Sequence, residues 1–143
     1  MGRRDLRAVR QLRLTTAHYE SMRTHLESCL PFEGCGLLAG TGRRVCEVIP
    51  VANGTHSEVR FRMDPIEQLH ALAWIDSHDL VLLGIFHSHP AGPQVPSPTD
   101  IAEAAYPVAN LIWSHAGGAW KVRSFWIADG RISAVKLYVA DGA

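Results

Sequence analysis

Apolar and polar positions change rhythm several times along the chain, and each rhythm predicts an element. Tyr19, Met22, Leu26, Cys29 and Leu30 recur at helical intervals. That spacing puts them on one helical face, and Thr15-Thr16 just before them offers an N-cap. Pro31 ends this helix, because a proline drives the residue before it out of the α region. From Ser57 to Met63 the period drops to two: Val59, Phe61 and Met63 alternate with Glu58, Arg60 and Arg62. A half-buried strand is predicted there. Leu80 to Phe86 is apolar throughout, which suits a strand covered on both faces.

Turn and cap chemistry supplies the remaining boundaries. Gly36 to Ala39 reads as a short buried strand, Thr41-Gly42 as a turn, and Val45 to Val51 as the returning strand. "DPIE", Asp64 to Glu67, has Asp at the N-cap, Pro at N1 and Glu at N3, so it opens a helix that should run to about Ser77. "SPTD", Ser97 to Asp100, can open another through Ala105. Val108 to Trp113 is a strand. Trp120 to Ile127 and Arg131 to Val139 form a hairpin around Asp129-Gly130. Leu6 to Leu14 is a further strand candidate. This order predicts an α/β sandwich whose mixed, mostly antiparallel sheet is flanked by helices.

Composition narrows the function classes. A chain of 143 residues fits one domain, 1–143, with a core of its own. Lys plus Arg balances Asp plus Glu at 14 each, which gives no support to a nucleic-acid footprint. Arg3, Arg4, Arg7, Arg10 and Arg13 crowd the start, against Asp5 alone. They read as a basic arm over 1–13, or as the lead into a first strand. No apolar segment follows Arg3-Arg4 as a twin-arginine signal requires. Leu6 stands where a myristoylation start needs Ser or Thr, and no apolar run could span a bilayer. The expectation is a cytoplasmic protein without a membrane partner. Cys29, Cys35 and Cys46 show no CxxC spacing, which argues against a disulfide framework and a cysteine-rich zinc knuckle. Cys35 reads as a small packing residue.

The candidate chemistry lies in "GIFHSHPAGPQVPSPTD", Gly84 to Asp100. Alternation puts His87 and His89 on one side of a strand end, where two imidazoles can meet one ion. Zinc favours such ligands and needs a third. Asp100 can supply it from the first turn of a helix, and Pro90, Pro93, Pro96 and Pro98 stiffen the loop between. Three protein ligands leave a fourth position for water, the mark of a catalytic zinc. Ser97 could donate to a developing oxyanion; the base must come from elsewhere. The same letters also spell a capping box, with Ser97 at the N-cap and Asp100 at N3, and the histidines could be ordinary loop residues. On spacing alone the two readings stand level.

The run His87, His89, seven residues, Ser97, two residues, Asp100 resembles the JAMM metalloproteases of the MPN-domain family. "PFEGCGLLAG", Pro31 to Gly40, resembles the segment that carries the family's upstream glutamate, and supplies Glu33. The likeness covers the chain from about Thr15 onward and implies the MPN (JAMM, cytidine-deaminase-like) fold. It implies one zinc ion per chain held by His87, His89 and Asp100. Glu33 would then be the general base toward the attacking water, passing the proton to the leaving amine, and Ser97 would help the oxyanion. Family members cut peptide or isopeptide bonds at the C-terminus of ubiquitin or ubiquitin-like proteins. Only Ile101 to Pro107 separates Asp100 from the next strand, so the long insertion of eukaryotic deubiquitinating members is absent. The compact chain is similar to small prokaryotic members that process sulfur carriers, β-grasp relatives of ubiquitin ending in Gly-Gly. Such a carrier is the expected partner, and a homodimer is compatible with this reading. Three alternatives stay open: a RadC-like protein, although that family lacks an "EGCGLLAG" segment; a phage-associated peptidase, although those usually add a second peptidase domain; and a metal-binding MPN scaffold without peptidase activity. His18, His25, His70 and His78 are expected to be structural or solvated. His115, before Ala116-Gly117-Gly118, is read as a surface residue or a substrate contact.

Overall fold

Two neighbouring strands, one rich in glycine and one ending in the paired histidines, form the centre of the sheet. The computed structural model describes residues 8–104 and 106–141. Its elements are β1 (Gln11–Thr15), α1 (Thr16–Cys29), β2 (Cys35–Thr41), β3 (Arg44–Val51), α2 (Pro65–Ser77), β4 (Val81–His89), α3 (Pro98–Ala102), β5 (Ala109–Ala116), β6 (Ala119–Ala128) and β7 (Arg131–Ala140). The strands run β1-β3-β2-β4-β5-β6-β7 and the sheet closes from β7 back to β1. β2 pairs antiparallel with β3 and β4, as β6 does with β5 and β7. The β4–β5, β1–β7 and β1–β3 pairings are parallel. The predicted mixed, mostly antiparallel sheet is present, and it curls until its ends meet. The β1–β3 seam is a single residue pair, Arg13 with Arg44.

Both faces of the β2–β4 pair are covered. Leu12, Met22, Leu26, Leu38, Phe86 and Trp113 pack on the α1 side. Leu37, Val51, Ala71 and Ile75 pack on the α2 side. Burying a side chain the size of Phe86 contributes roughly 1.5–3 kcal/mol, so this strand pair is held from both sides. Glycine allows β2 to sit close to its neighbours. A Cβ on Gly36 would lie 2.3 Å from the Phe86 ring and 2.7 Å from the Ile49 carbonyl oxygen.

The caps form as their chemistry predicts. Thr15 accepts from the His18 N–H, and His18 Nδ1 returns to the Thr15 N–H, completing a capping box. Leu30, just before Pro31, leaves the helix at φ −52, ψ 141. Asp64 accepts from the Ile66 and Glu67 N–H groups, and α2 ends at Ser77. Asp129 and Gly130 both have positive φ, as a type I′ hairpin turn requires.

Two expectations fail. Residues 57–63 form no strand; the only bridge at their end joins Asn53 to Met63. Met63 is buried and Phe61 half-buried, but Val59 is 85% exposed. The segment is an irregular loop whose backbone is bonded partly by the Asn53 side chain at Arg60 and Arg62 and partly by the Gly54 and Glu33 N–H groups at the Arg62 and Ser57 carbonyls, in place of a neighbouring strand. α3 stops at Ala102, short of Ala105, which lies outside the described residues. None of its side chains is buried, so little packing sustains a further turn. The predicted first strand begins at Gln11, and Leu6, Arg3, Arg4 and Arg7 also lie outside the described residues. No helix among the described residues is long and apolar enough to cross a membrane.

Candidate metal centre

The C-terminal end of β4 carries His87 and His89, 2% and 7% exposed. Their alternation faces both rings one way, and their Nε2 atoms stand 3.1 Å apart. Asp100, on the first turn of α3, places Oδ1 3.3 Å from His87 Nε2 and Oδ2 3.1 Å from His89 Nε2. Glu33, buried on the loop between α1 and β2, brings a carboxylate oxygen into a group with both histidines whose atoms lie within 4.8 Å of one another. Four of the five residues singled out by sequence therefore converge. Ser97, the fifth, is at the N-cap of α3. Its Oγ accepts from the Asp100 N–H at 3.0 Å, and Asp100 Oδ2 accepts from the Ser97 N–H at 2.8 Å. The capping box and the convergent carboxylate thus coexist in one turn. Among the described residues the Ser97 hydroxyl proton has no acceptor.

Hydrogen bonding decides the state of His89. Its Nδ1 lies 2.9 Å from the Pro93 carbonyl oxygen. A carbonyl can only accept, so Nδ1 carries the proton and a neutral His89 turns its Nε2 lone pair inward. That lone pair faces the Asp100 carboxylate, with His87 Nε2 3.1 Å away on the other side. Only a proton or a cation there makes the contact favourable, and this donor set can hold a metal ion. Without one, the protein's own charges set the titration. Burial pushes Glu33 up to about 7, with Asp100 adding to the shift and His89 opposing it. Burial lowers His87 more than its bond to Asp100 raises it. Burial opposes charge on His89 too, but its bonds to Asp100 and Pro93 prevail and raise it. Asp100 is driven far below the usual carboxylate range, because the bonds from His87 and His89 outweigh its burial.

Beside these groups lies a cavity of about 290 Å³, whose walls include Phe61, Gln68, His87, Ser97, Asp100 and Asn110. Phe61 stacks on the His87 ring at 4.4 Å and 23°. Two residues not singled out by sequence hold the Glu33 loop. Ser88, between the histidines and facing away from them, accepts from the Gly34 N–H through Oγ and donates its own N–H to the Gly34 carbonyl. Asn53 Nδ2 donates to the Glu33 carbonyl. A hydroxyl continuing a mostly buried apolar strand is the available signal for Ser88, since buried polar groups need partners.

The remaining candidates lie elsewhere. His115 packs its ring on Trp120 at 4.6 Å and is not part of the cavity wall. Cys35 is fully buried, with Sγ directed to the Val51 carbonyl, and burial pushes its thiol up to about 12; it packs and stays protonated. His18 and His25 reach the Cys46 and Cys35 carbonyls, His78 stacks on Trp74, and His70 is exposed, so these four are structural or solvated.

Similarity to known proteins fits this arrangement. The chain is 42% identical over 113 residues to a probable TtuB-protein conjugate cleaving protease of Thermus thermophilus, covering 78% of this chain and 73% of that one. It is 32% identical over 125 residues to the CysO-cysteine peptidase of Mycobacterium tuberculosis, covering 85% and 86%. A solution structure of a protein from Desulfitobacterium hafniense superposes with a TM-score of 0.83 at 35% identity, covering 92% of this chain and 94% of that one. The family of prokaryotic homologs of the JAB domain matches residues 15–133, and this chain, with its histidine pair and carboxylates gathered at one strand end, belongs to that family and is a peptidase of the JAMM type.

Proposed function

We propose that this chain, as a single cytoplasmic domain, hydrolyses the amide bond after the C-terminal Gly-Gly of a ubiquitin-like or sulfur-carrier protein, using one zinc ion. The observation that carries the reading is the meeting of three donor side chains: His87 Nε2 and His89 Nε2 stand 3.1 Å apart, with Asp100 Oδ1 3.3 Å from the first and Oδ2 3.1 Å from the second. Tetrahedral ligands about 2.0–2.1 Å from zinc stand roughly 3.3–3.4 Å from one another, so these three need to move only slightly to hold it. When bound, zinc in such a set supplies a Lewis acid and brings the pKa of water toward about 7.

The chain's own residues do the rest. His89 is fixed as a ligand by its Nδ1 bond to Pro93. Glu33 is buried and within 4.8 Å of both imidazoles; as the base it accepts the proton of the attacking water and delivers it to the leaving amine. Ser97 keeps its Oγ lone pair on the Asp100 N–H and turns its free proton toward the oxyanion. The cavity receives the carrier tail. A Gly-Gly tail fits there because it has no side chains to hold the scissile carbonyl away from the donors, and because an extended main chain can bond to polar walls.

The named specificities of the Thermus and Mycobacterium relatives, for TtuB conjugates and CysO-cysteine, support a carrier conjugate over an unfolded peptide. The test is an intact-mass assay on a β-grasp carrier with one extra residue or a lysine isopeptide after Gly-Gly, beside an Ala-Ala variant. Cleavage of the first and sparing of the second is expected. Equal cleavage of both, or digestion of unfolded peptides alone, makes the protein a general peptidase.

A further inference from the structure

Asn53 lies outside the cavity wall and outside every motif that pointed to chemistry. Even so, its side chain makes more hydrogen bonds than that of any other described residue. Oδ1 accepts from the Thr55 N–H at 3.1 Å, the Thr55 hydroxyl at 2.7 Å and the Arg62 N–H at 3.0 Å. Nδ2 donates to the Arg60 carbonyl at 3.0 Å and the Glu33 carbonyl at 2.9 Å. The loop over 53–63 answers with a second tie: the Ser57 carbonyl accepts from the Glu33 N–H at 2.7 Å. Both backbone groups of Glu33 are therefore bonded to this loop. The same loop carries Val59, Arg60, Phe61 and Arg62 in the cavity wall and stacks Phe61 on His87.

We propose that Asn53 is a positioning residue for hydrolysis: it locks Glu33 to the wall that receives the substrate, so that the carboxylate stands at its working distance from the histidines. The inference rests on the reading of Glu33 as the base. No ladder could do this work, because Glu33 lies in a loop and residues 57–62 belong to no strand. An amide suits the position because it alone among uncharged side chains offers two N–H donors and an acceptor with two lone pairs. A carboxylate in its place would keep the bonds from Thr55 and Arg62 and lose both donations.

The test compares Asn53→Asp with wild type on a Gly-Gly-terminated β-grasp carrier bearing one extra residue. The variant should keep its zinc content, hold KM within about threefold, and lose about 10–10² in kcat, the scale expected when a reacting group is misplaced by an ångström. Asn53→Ser, uncharged and too short to reach the Glu33 carbonyl, carries the same expectation should Asn53→Asp not fold. Thr55→Val, which loosens the loop without touching Glu33, should keep kcat within about threefold. In zinc-free protein, amide exchange at Glu33 should quicken about tenfold in Asn53→Asp, since its partner loop opens more often. In a Glu33→Gln background, Asn53→Asp should cost less than about threefold further, because residues acting through one group are not additive. An unchanged kcat, a change in KM alone, loss of zinc with activity, unaltered exchange at Glu33, or full additivity with Glu33→Gln overturns the proposal. If Glu33→Gln is itself as active as wild type, the reading of Glu33 as base fails first, and the role of Asn53 falls with it.

Discussion

The two sides of the site are built by different means. On one side β2 and β4 run through the core and deliver His87 and His89 on a hydrogen-bonded ladder, covered by α1 and α2. On the other, residues 53–63 and 90–98 carry almost no ladder. Their positions come from Asn53, from the bond of His89 to Pro93, and from the Ser97–Asp100 cap. The difference teaches where rigidity is needed. Under the proposed function the two histidines must be held to tenths of an ångström, and a buried strand does that. Under the same proposal the cavity wall must fit a partner's shape, and side-chain anchors hold it apart from the ladder.

The largest expected effect comes from the ladder side and from Asp100, which faces it across the site. Purified protein should hold one zinc ion per chain by elemental analysis. His89→Ala or Asp100→Ala should weaken zinc binding by more than the roughly 10–100-fold typical of losing only an outer hydrogen bond, and should abolish hydrolysis. Chelation should leave the circular dichroism spectrum of the fold intact, because the core around Phe86, Leu38 and Trp113 is complete without metal. Wild-type protein that is metal-free and fully active would refute the zinc reading.

Next in size is Glu33→Gln. The amide still bonds to water but cannot accept its proton, so zinc should stay and the rate should fall by about 10²–10⁴. The geometry makes the competing outcome concrete, since Glu33 lies with both histidines inside one 4.8 Å group. Loss of zinc in this variant would turn Glu33 from base into ligand.

Ser97→Ala probes the boundary between the two sides, because Ser97 both caps α3 and faces the cavity. Removing its Oγ should lower stability by about 0.5–2 kcal/mol through the lost cap and slow hydrolysis by about 10²–10³ through the lost oxyanion donor. A lower melting temperature with unchanged turnover would leave Ser97 as a cap alone.

The same contrast explains how much could be read from the sequence. The start of helix α2 was legible because Asp64, Pro65 and Glu67 act locally. β4 was legible because a both-sides-buried strand is uniformly apolar. Strand alternation puts His87 and His89 on one side, but spacing leaves a metal site and a capped turn level; the likeness to the family tips that reading toward His87, His89 and Asp100 together, and "PFEGCGLLAG" supplies Glu33. Closure of the sheet was not legible: the parallel pairing of Gln11–Thr15 with Lys136–Ala140 joins segments more than a hundred residues apart, and no local pattern encodes it. The segment 57–63 misled because alternation reports an extended chain with one face covered. It does not report what bonds the backbone, which here is the Asn53 side chain together with the Gly54 and Glu33 N–H groups. Ser88 is obscured by the histidines on either side of it, which carry the motif, while its own role at Gly34 depends on a contact 54 residues away.

The smallest effect should come from the loop wall itself, at Val59. This residue is 85% exposed yet lines the cavity, so it adds little to the fold and is placed to touch a partner. Val59→Ser should change stability by no more than about 0.5 kcal/mol, as for most surface substitutions. If a carrier tail covers Val59, losing that apolar contact should cost about 0.5–1.3 kcal/mol of binding, a rise in KM of roughly 2–10-fold. Because the contact is made in the ground state and the transition state alike, kcat should not move. The measurement is a full rate profile on the Gly-Gly carrier with one added residue. A fall in kcat with KM unchanged would mean that the wall takes part in the chemistry, and the division between a rigid ladder for catalysis and an anchored loop for recognition would not hold.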